Sequence, residues 1–173
     1  MRTDPTVPRV CLGLDPGLGT LGFGLVSQRG DQLRAEDYGV VQTPPGLPLP
    51  VRLRMLYEEL RRRTGAFRPS VVAVERLYFG KNVTTAEMVW QARGVVLLFA
   101  SQLEVPLYEP KPSEVKLAIC GHGGAEKRQV QGMVQCLLGL AELPRPDDAA
   151  DALAVAVAGL SLASLEGKEV RSL

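Results

Sequence analysis

Cysteine is scarce in this sequence, with three residues in 173, at Cys11, Cys120 and Cys136. Residues so few and so scattered build neither a disulfide framework nor a thiolate zinc site. Cys11 lies in an apolar run and Cys136 on an apolar helix, so both read as buried free thiols. An excess of charge of one sign is also missing. The net charge is +1, which gives no chain-wide basic signature of a nucleic-acid binder. Local patches bind phosphate, however, and an acidic site would cancel basic charge elsewhere. Every long apolar run is broken by charge, proline or glycine, so no membrane span is expected. Met1 to Arg9 lack the apolar stretch of a secretory signal. A cytoplasmic protein is the expectation. What is present is a hydrophobic fraction of 46%, ordinary for a globular chain, and a length that suits one domain with its own core.

Turn residues and periodicity divide the chain. Residues 1–8 read as a flexible tail, 9–163 as a single domain and 164–173 as a polar, frayed tail. Val10 to Asp15 is an apolar strand stopped by Pro16-Gly17. Thr20 to Gln28 is a second strand, Arg29-Gly30-Asp31 a hairpin turn, and Gln32 to Gln42 a third strand. Three strands in immediate succession predict an antiparallel meander. After a proline-rich loop, Leu53, Leu56, Tyr57 and Leu60 mark one face of a helix. Its other face, with Arg52, Arg54, Glu58, Glu59 and Arg61 to Arg63, reads as solvated. Ser70 to Glu75 is a buried strand ending in an acid. A helix near Thr84 to Gln102 and a strand from Val105 to Glu109 complete a parallel crossover. Helices are expected at Lys111 to Ile119, with Pro112 in the first turn, and at Ala125 to Leu140, with Val130, Val134, Leu137 and Leu138 on one face. A last one is expected from Asp147 to about Ala163. The class is α/β, a mixed five-stranded sheet, three strands antiparallel and then two parallel, flanked by helices.

Four acids stand out by position. Asp15 ends the first strand and Glu75 the fourth; Asp148 and Asp151 lie three apart at the start of the last helix, on one face. If strands one and four are parallel neighbours, Asp15 and Glu75 sit side by side at their carboxyl ends, where α/β sheets bind ligands. Gathered carboxylates repel one another and resist burial, and a divalent cation removes both penalties. Oxygen-only ligands favour Mg²⁺ or Mn²⁺ over zinc, and two such ions support phosphodiester cleavage. Each acid also has a plainer reading. Asp15 could start a turn, Glu75 could pair with a surface arginine, Asp147 and Asp148 could cap the last helix, and Asp151 could be a solvated acid of its first turn.

The residues around these acids carry a family pattern. Gly13-Leu14-Asp15-Pro16-Gly17 resembles the first motif of the RuvC Holliday junction resolvases. Val74-Glu75-Arg76-Leu77-Tyr78-Phe79-Gly80-Lys81-Asn82 resembles the second, followed by Gln91-Ala92-Arg93-Gly94-Val95. Ala125-Glu126-Lys127 and Asp148-Ala149-Ala150-Asp151-Ala152-Leu153 complete the set in family order. The resemblance implies an RNase H-like nuclease domain over 9–163 and a homodimer that binds four-way junction DNA. It implies paired nicks on opposed strands during recombination and repair, with ligatable 5′-phosphate ends. It gives Asp15, Glu75, Asp148 and Asp151 the catalytic and metal-ligand roles, with Mg²⁺ or Mn²⁺, two ions per site. The Asp-Ala-Ala-Asp spacing selects Asp148 over Asp147. Some relatives have histidine at the third position; here the sole histidine, His122, lies in the Gly121 to Gly124 loop and reads as a loop or DNA-proximal residue. Tyr78 or Phe79 would stack on an unpaired base near the junction centre, either ring otherwise serving core or interface. Lys116 and Lys127 match basic positions of the family, and Arg76, Lys81 and Lys111 are further candidate phosphate contacts, the plain alternative for each being a solvated charge. Lys127, near a helix N-terminus, is the best placed for phosphate. Gly17, Gly19, Gly22 and Gly24 fit turn and strand positions of close backbone approach. The RuvA and RuvB branch-migration proteins are the implied partners.

Two other function classes share this pattern in part. An actin-like ATPase opens with a similar acid-and-glycine hairpin but needs a second domain to close over nucleotide. A non-catalytic DNA-binding protein on the same fold would be expected to lack one or more of the four acids.

Overall fold

The computed structural model describes residues 8–77 and 86–169. Five strands run β1 (Arg9–Asp15), β2 (Thr20–Arg29), β3 (Gln32–Gln42), β4 (Val71–Val74) and β5 (Leu107–Tyr108). Five helices join them: α1 (Leu49–Thr64), α2 (Ala86–Ser101), α3 (Pro112–Cys120), α4 (Lys127–Leu138) and α5 (Asp147–Glu169). The sheet order is β3-β2-β1-β4-β5. β1–β2 and β2–β3 are antiparallel, and β1–β4 and β4–β5 are parallel. This is the meander and crossover expected from the sequence. Gly30, at φ 59°, makes the tight turn between β2 and β3.

Period-two alternation assigns each strand residue to a layer. Leu12, Leu14, Leu21, Phe23, Leu25, Val72 and Val74 face one core with Leu56 and Leu60 of α1 and Ala92 and Val96 of α2. Cys11, Val26, Val71 and Ala73 face the other, with α3, α4 and the apolar length of α5. Continuing the count along β1 and β4 puts Asp15 and Glu75 on the α5 side.

Helix α5 lies against glycines. A Cβ on Gly13 would stand 2.2 Å from the Ala152 carbonyl oxygen, and one on Gly22 would stand 2.0 Å from that of Asp148. Gly22 pairs with Asp15 across the β1–β2 ladder. The bare strand surface therefore lets the first turn of α5 settle next to Asp15.

Several expectations change. Cys136 is exposed. On α4, Val130, Val134 and Leu138 form the buried stripe at intervals of four, and position 136 falls on the far side; Leu137, expected inside, is 36% exposed. Arg52, expected on the solvated face of α1, is buried, because Arg52, Leu56, Leu60 and Thr64 form that helix's inner stripe. Helix α5 continues to Glu169, past the expected end near Ala163. Its segment Asp147–Leu165 is long and apolar enough to cross a membrane, contrary to the sequence expectation. Most of that segment is instead packed inside the protein, as the core helix between the sheet and α3 and α4.

Candidate active site

The site begins with a register. Leu14 is the parallel partner of Val74, and the Glu75 N–H donates to the Leu14 carbonyl at 3.0 Å. Asp15 and Glu75 are therefore adjacent at the carboxyl ends of neighbouring strands. Asp148 and Asp151 come to them on the first turns of α5, across the gap left by Gly22.

The electrostatics record this convergence. Burial pushes the Asp15 carboxyl up to about 7, helped by the negative charges of Glu75, Asp151 and Asp148. Burial also pushes Glu75 up to about 7, helped by Asp151, and Asp151 is raised by its own burial. Among the described residues, the one cation acting on Asp15, Glu75 and Asp151 together is Lys127, at the N-terminus of α4. Its Nζ stands 3.1 Å from Asp151 Oδ2 and 3.2 Å from Asp147 Oδ2. An exposed ion pair of this kind contributes about 0–1 kcal/mol. The shift at Asp15 corresponds to roughly 4 kcal/mol. Lys127 thus falls well short of neutralising the cluster, and the donor set, all carboxylate oxygen, fits a hard divalent cation. Among the described residues, no three His, Cys, Asp or Glu side chains are grouped closely enough to hold a metal ion as they stand.

The expected basic residues divide into two groups. Lys127 and Lys116 both act on Glu75. Arg76 and Lys111 are exposed at the mouth, where the Arg76 N–H donates to the carbonyl of Pro110, next to Lys111. His122 is exposed in the loop between α3 and α4. Tyr78, Phe79 and Lys81 lie outside the described residues.

Three contacts escaped the sequence reading. Asp147, passed over for Asp148, shares Lys127 and accepts from Gln131 Nε2 at 3.0 Å; the spacing of Lys127 and Gln131, one helical turn, was the available signal. Arg93, within one quoted motif, is 3% exposed and paired with Glu109 near the end of β5. Arg52 hydrogen-bonds Thr43. Neither partner is near in sequence, and no local pattern announces such pairs. Two surface grooves of about 370 and 390 Å³ lie beside β3, one against α1 and one against the segment before α5. The acids line neither groove; all four are partly buried at the sheet end.

The family model for "Crossover junction endodeoxyribonuclease RuvC" matches residues 11–159. A protein of that description from Chloroflexus aggregans is 55% identical over 146 residues, covering 84% of this chain and 89% of its own length. The solved structure of Thermus thermophilus RuvC superposes with a TM-score of 0.84 at 38% identity, covering 91% of this chain and 96% of that one. T. thermophilus RuvC in complex with Holliday junction substrate gives 0.82 at 36%, covering 90% and 96%. The expected RNase H-like, mixed five-stranded sheet with flanking helices is borne out. The chain belongs to the crossover junction endodeoxyribonuclease RuvC family.

Proposed function

We propose that this protein is a structure-selective endonuclease that resolves four-way DNA junctions by paired, metal-dependent hydrolysis on opposed strands, leaving 5′-phosphate ends. The carrying observation is the convergence of Asp15, Glu75, Asp148 and Asp151 on the α5 side of the sheet end, where burial and mutual repulsion raise Asp15 and Glu75 in spite of the nearby Lys127. Family membership supplies the substrate class.

Asp15, Glu75, Asp148 and Asp151 would hold Mg²⁺ or Mn²⁺, two ions per site. When bound, such cations activate water and stabilise the leaving oxygen. The residues of the chain do the rest. Burial and like charges hold protons on Asp15 and Glu75 up to about pH 7, so metal binding would release those protons and strengthen as pH rises. Lys127, paired with Asp147 and Asp151 beside the acids, would turn toward the scissile phosphate, and Lys116, whose charge also acts on Glu75, would assist it. Arg76, Lys111 and Lys81 would hold flanking phosphates, and these contacts position the DNA without reading its sequence. Tyr78 or Phe79 would stack on an unpaired base at the junction centre.

We assign the nuclease domain to 9–163; of the proposed tails at 1–8 and 164–173, residues 1–7 and 170–173 lie outside the described residues, and 164–169 are the end of α5. The working unit is a homodimer. Support comes from α2, where Trp90 and Leu98 are 42% and 56% exposed with exposed Gly94 between them at intervals of four, a stripe suited to a second copy. RuvA and RuvB are the proposed partners in branch migration, and the cytoplasm the proposed location.

The test uses a labelled mobile four-way junction with Mg²⁺ or Mn²⁺. The wild-type protein should give paired symmetric nicks that require metal. Asp15→Asn should bind the junction with similar affinity and lose nicking by at least about 10³-fold, the scale of removing a transition-state charge stabiliser. Nicking by the variant at the wild-type rate would overturn the site.

A further inference from the structure

Immediately after Asp15 the chain turns through Pro16 to Gly19 and re-enters the sheet at Thr20. A Cβ on Gly17 would stand 2.2 Å from the Thr20 carbonyl oxygen, so the turn is tight. Its two last carbonyls are both taken by one residue from the far end of the meander. The Thr43 hydroxyl donates to the Leu18 carbonyl at 2.5 Å, and the Thr43 N–H donates to the Gly19 carbonyl at 3.1 Å. Thr43 is in turn held by Arg52 of α1, whose Nε donates to Thr43 Oγ1 at 2.9 Å and whose Nη2 reaches the Thr43 carbonyl at 3.4 Å.

This arginine is out of place by ordinary rules. It is 9% exposed, on a helix stripe otherwise made of Leu56, Leu60 and Thr64. Among the described residues it has no carboxylate partner. Burying a guanidinium against neutral oxygens costs free energy that a leucine at this position would not. Its planar fork spans the hydroxyl and the carbonyl of one residue, which fixes the Thr43 rotamer and so aims the hydroxyl proton at Leu18. The charges that act on Asp15 are those of Glu75, Asp151, Asp148 and Lys127; Arg52 reaches Asp15 through the chain.

We propose that Arg52 and Thr43 are positioning residues for Asp15, locking the turn that follows it so that its carboxylate is held at a fixed place among the other acids. The proposal rests on reading Asp15 as a nuclease carboxylate. Removing the lock leaves Asp15 on its strand but lets its backbone wander on the scale that misaligned groups feel most, where about 1 Å can cost roughly 10²-fold in rate.

The experiment compares Thr43→Val, which keeps shape and loses the hydroxyl, with Thr43→Ser, which keeps the hydroxyl, and with Arg52→Lys, which keeps charge and loses the fork. Three quantities are measured on the full chain: kcat for junction nicking, junction Kd, and amide hydrogen exchange at residues 17 to 20 without metal or DNA. Thr43→Val and Arg52→Lys should lose about tenfold or more in kcat, with junction Kd unchanged and exchange at the turn faster. Thr43→Ser should stay within about twofold of wild type, a rescue that loss of general stability would not show. Wild-type nicking by Thr43→Val, or equal impairment of Thr43→Val and Thr43→Ser, would overturn the proposal. Should Thr43→Val not fold, Arg52→Lys decides by the same three measures. If the wild-type protein nicks no junction, the nuclease reading fails by itself. Turn exchange then decides the lock alone: faster exchange in Thr43→Val with retention in Thr43→Ser sustains it, and equal exchange in all three proteins ends it.

Discussion

A carboxyl group that needs a pH near 7 to ionise is a liability in a folded protein unless something else holds it in place, and Asp15 and Glu75 are two such groups. Their native values lie above the ordinary 3.8 and 4.5, so between about pH 4 and 7 the folded chain holds protons that the unfolded chain gives up. Stability therefore falls as pH rises through that window. In the presence of a chelator, thermal unfolding should show a lower Tm at pH 8 than at pH 5.5. Asp15→Asn should stabilise the metal-free protein at pH 8 by about 2 kcal/mol, and the gain should vanish below about pH 4. Equal pH dependence in both proteins would mean that Asp15 is not buried among like charges. The four acids were legible in the sequence because each sits where an apolar element begins or ends. The partner of Lys127 was legible only in part, since the Asp-Ala-Ala-Asp spacing drew attention away from Asp147, which shares that lysine. Arg52 was misread for a reason that helical geometry explains: centring the inner face on Leu53, Leu56, Tyr57 and Leu60 rather than on Arg52, Leu56, Leu60 and Thr64 rotates it by less than one residue, enough to move an arginine from core to solvent.

At the level of elements, the contact of α5 with the sheet is the joint on which the site depends. Gly22→Ala would drive a methyl into the Asp148 carbonyl, 2.0 Å from the ideal Cβ position, with peptide backbone unable to yield as a side-chain end can. Overpacking of this kind costs about 3 kcal/mol. Calorimetry should show Tm lower by roughly 6–12 °C, and junction nicking should drop with it as Asp148 and Asp151 shift. Gly132→Ala is the control: it lies within α4 with nothing within 4 Å of a Cβ, and it should gain about 0.5–1 kcal/mol. A neutral outcome at Gly22 would mean that the helix rides higher on the sheet. The strands were legible because glycine and proline punctuate them and their apolar residues alternate or run unbroken. The rotation of helices was not, as Leu137 and Cys136 show. On an apolar amphipathic helix a shift of one position changes which residues meet the core, and the partner surface that decides it comes from distant chain.

For the molecule as a whole, the open question for solution work is the second copy. Leu98→Glu together with Trp90→Glu puts two charges on the exposed stripe of α2. Sedimentation should show the wild type as a dimer and this variant as a monomer, and junction cleavage by the variant should lose its paired character while the far-UV spectrum stays the same. A variant that remains dimeric would move the interface elsewhere. The fold class and strand order were readable from the sequence, because the crossover connection and the meander admit few arrangements; a dimer face was not, since apolar positions of α2 serve a core and an interface alike. The packing of α5 on β1 and β2 has one more consequence, in the order of synthesis. The strands that carry Asp15 and Glu75 leave the ribosome long before residues 147–169, and chains are made at about 5–20 residues per second. For that interval the nascent chain holds a sheet with one face bare and half of its acids. The same docking event covers that face and brings in Asp148 and Asp151, so on the proposed site a chain that has not finished folding would lack half of its acids and would not cut DNA.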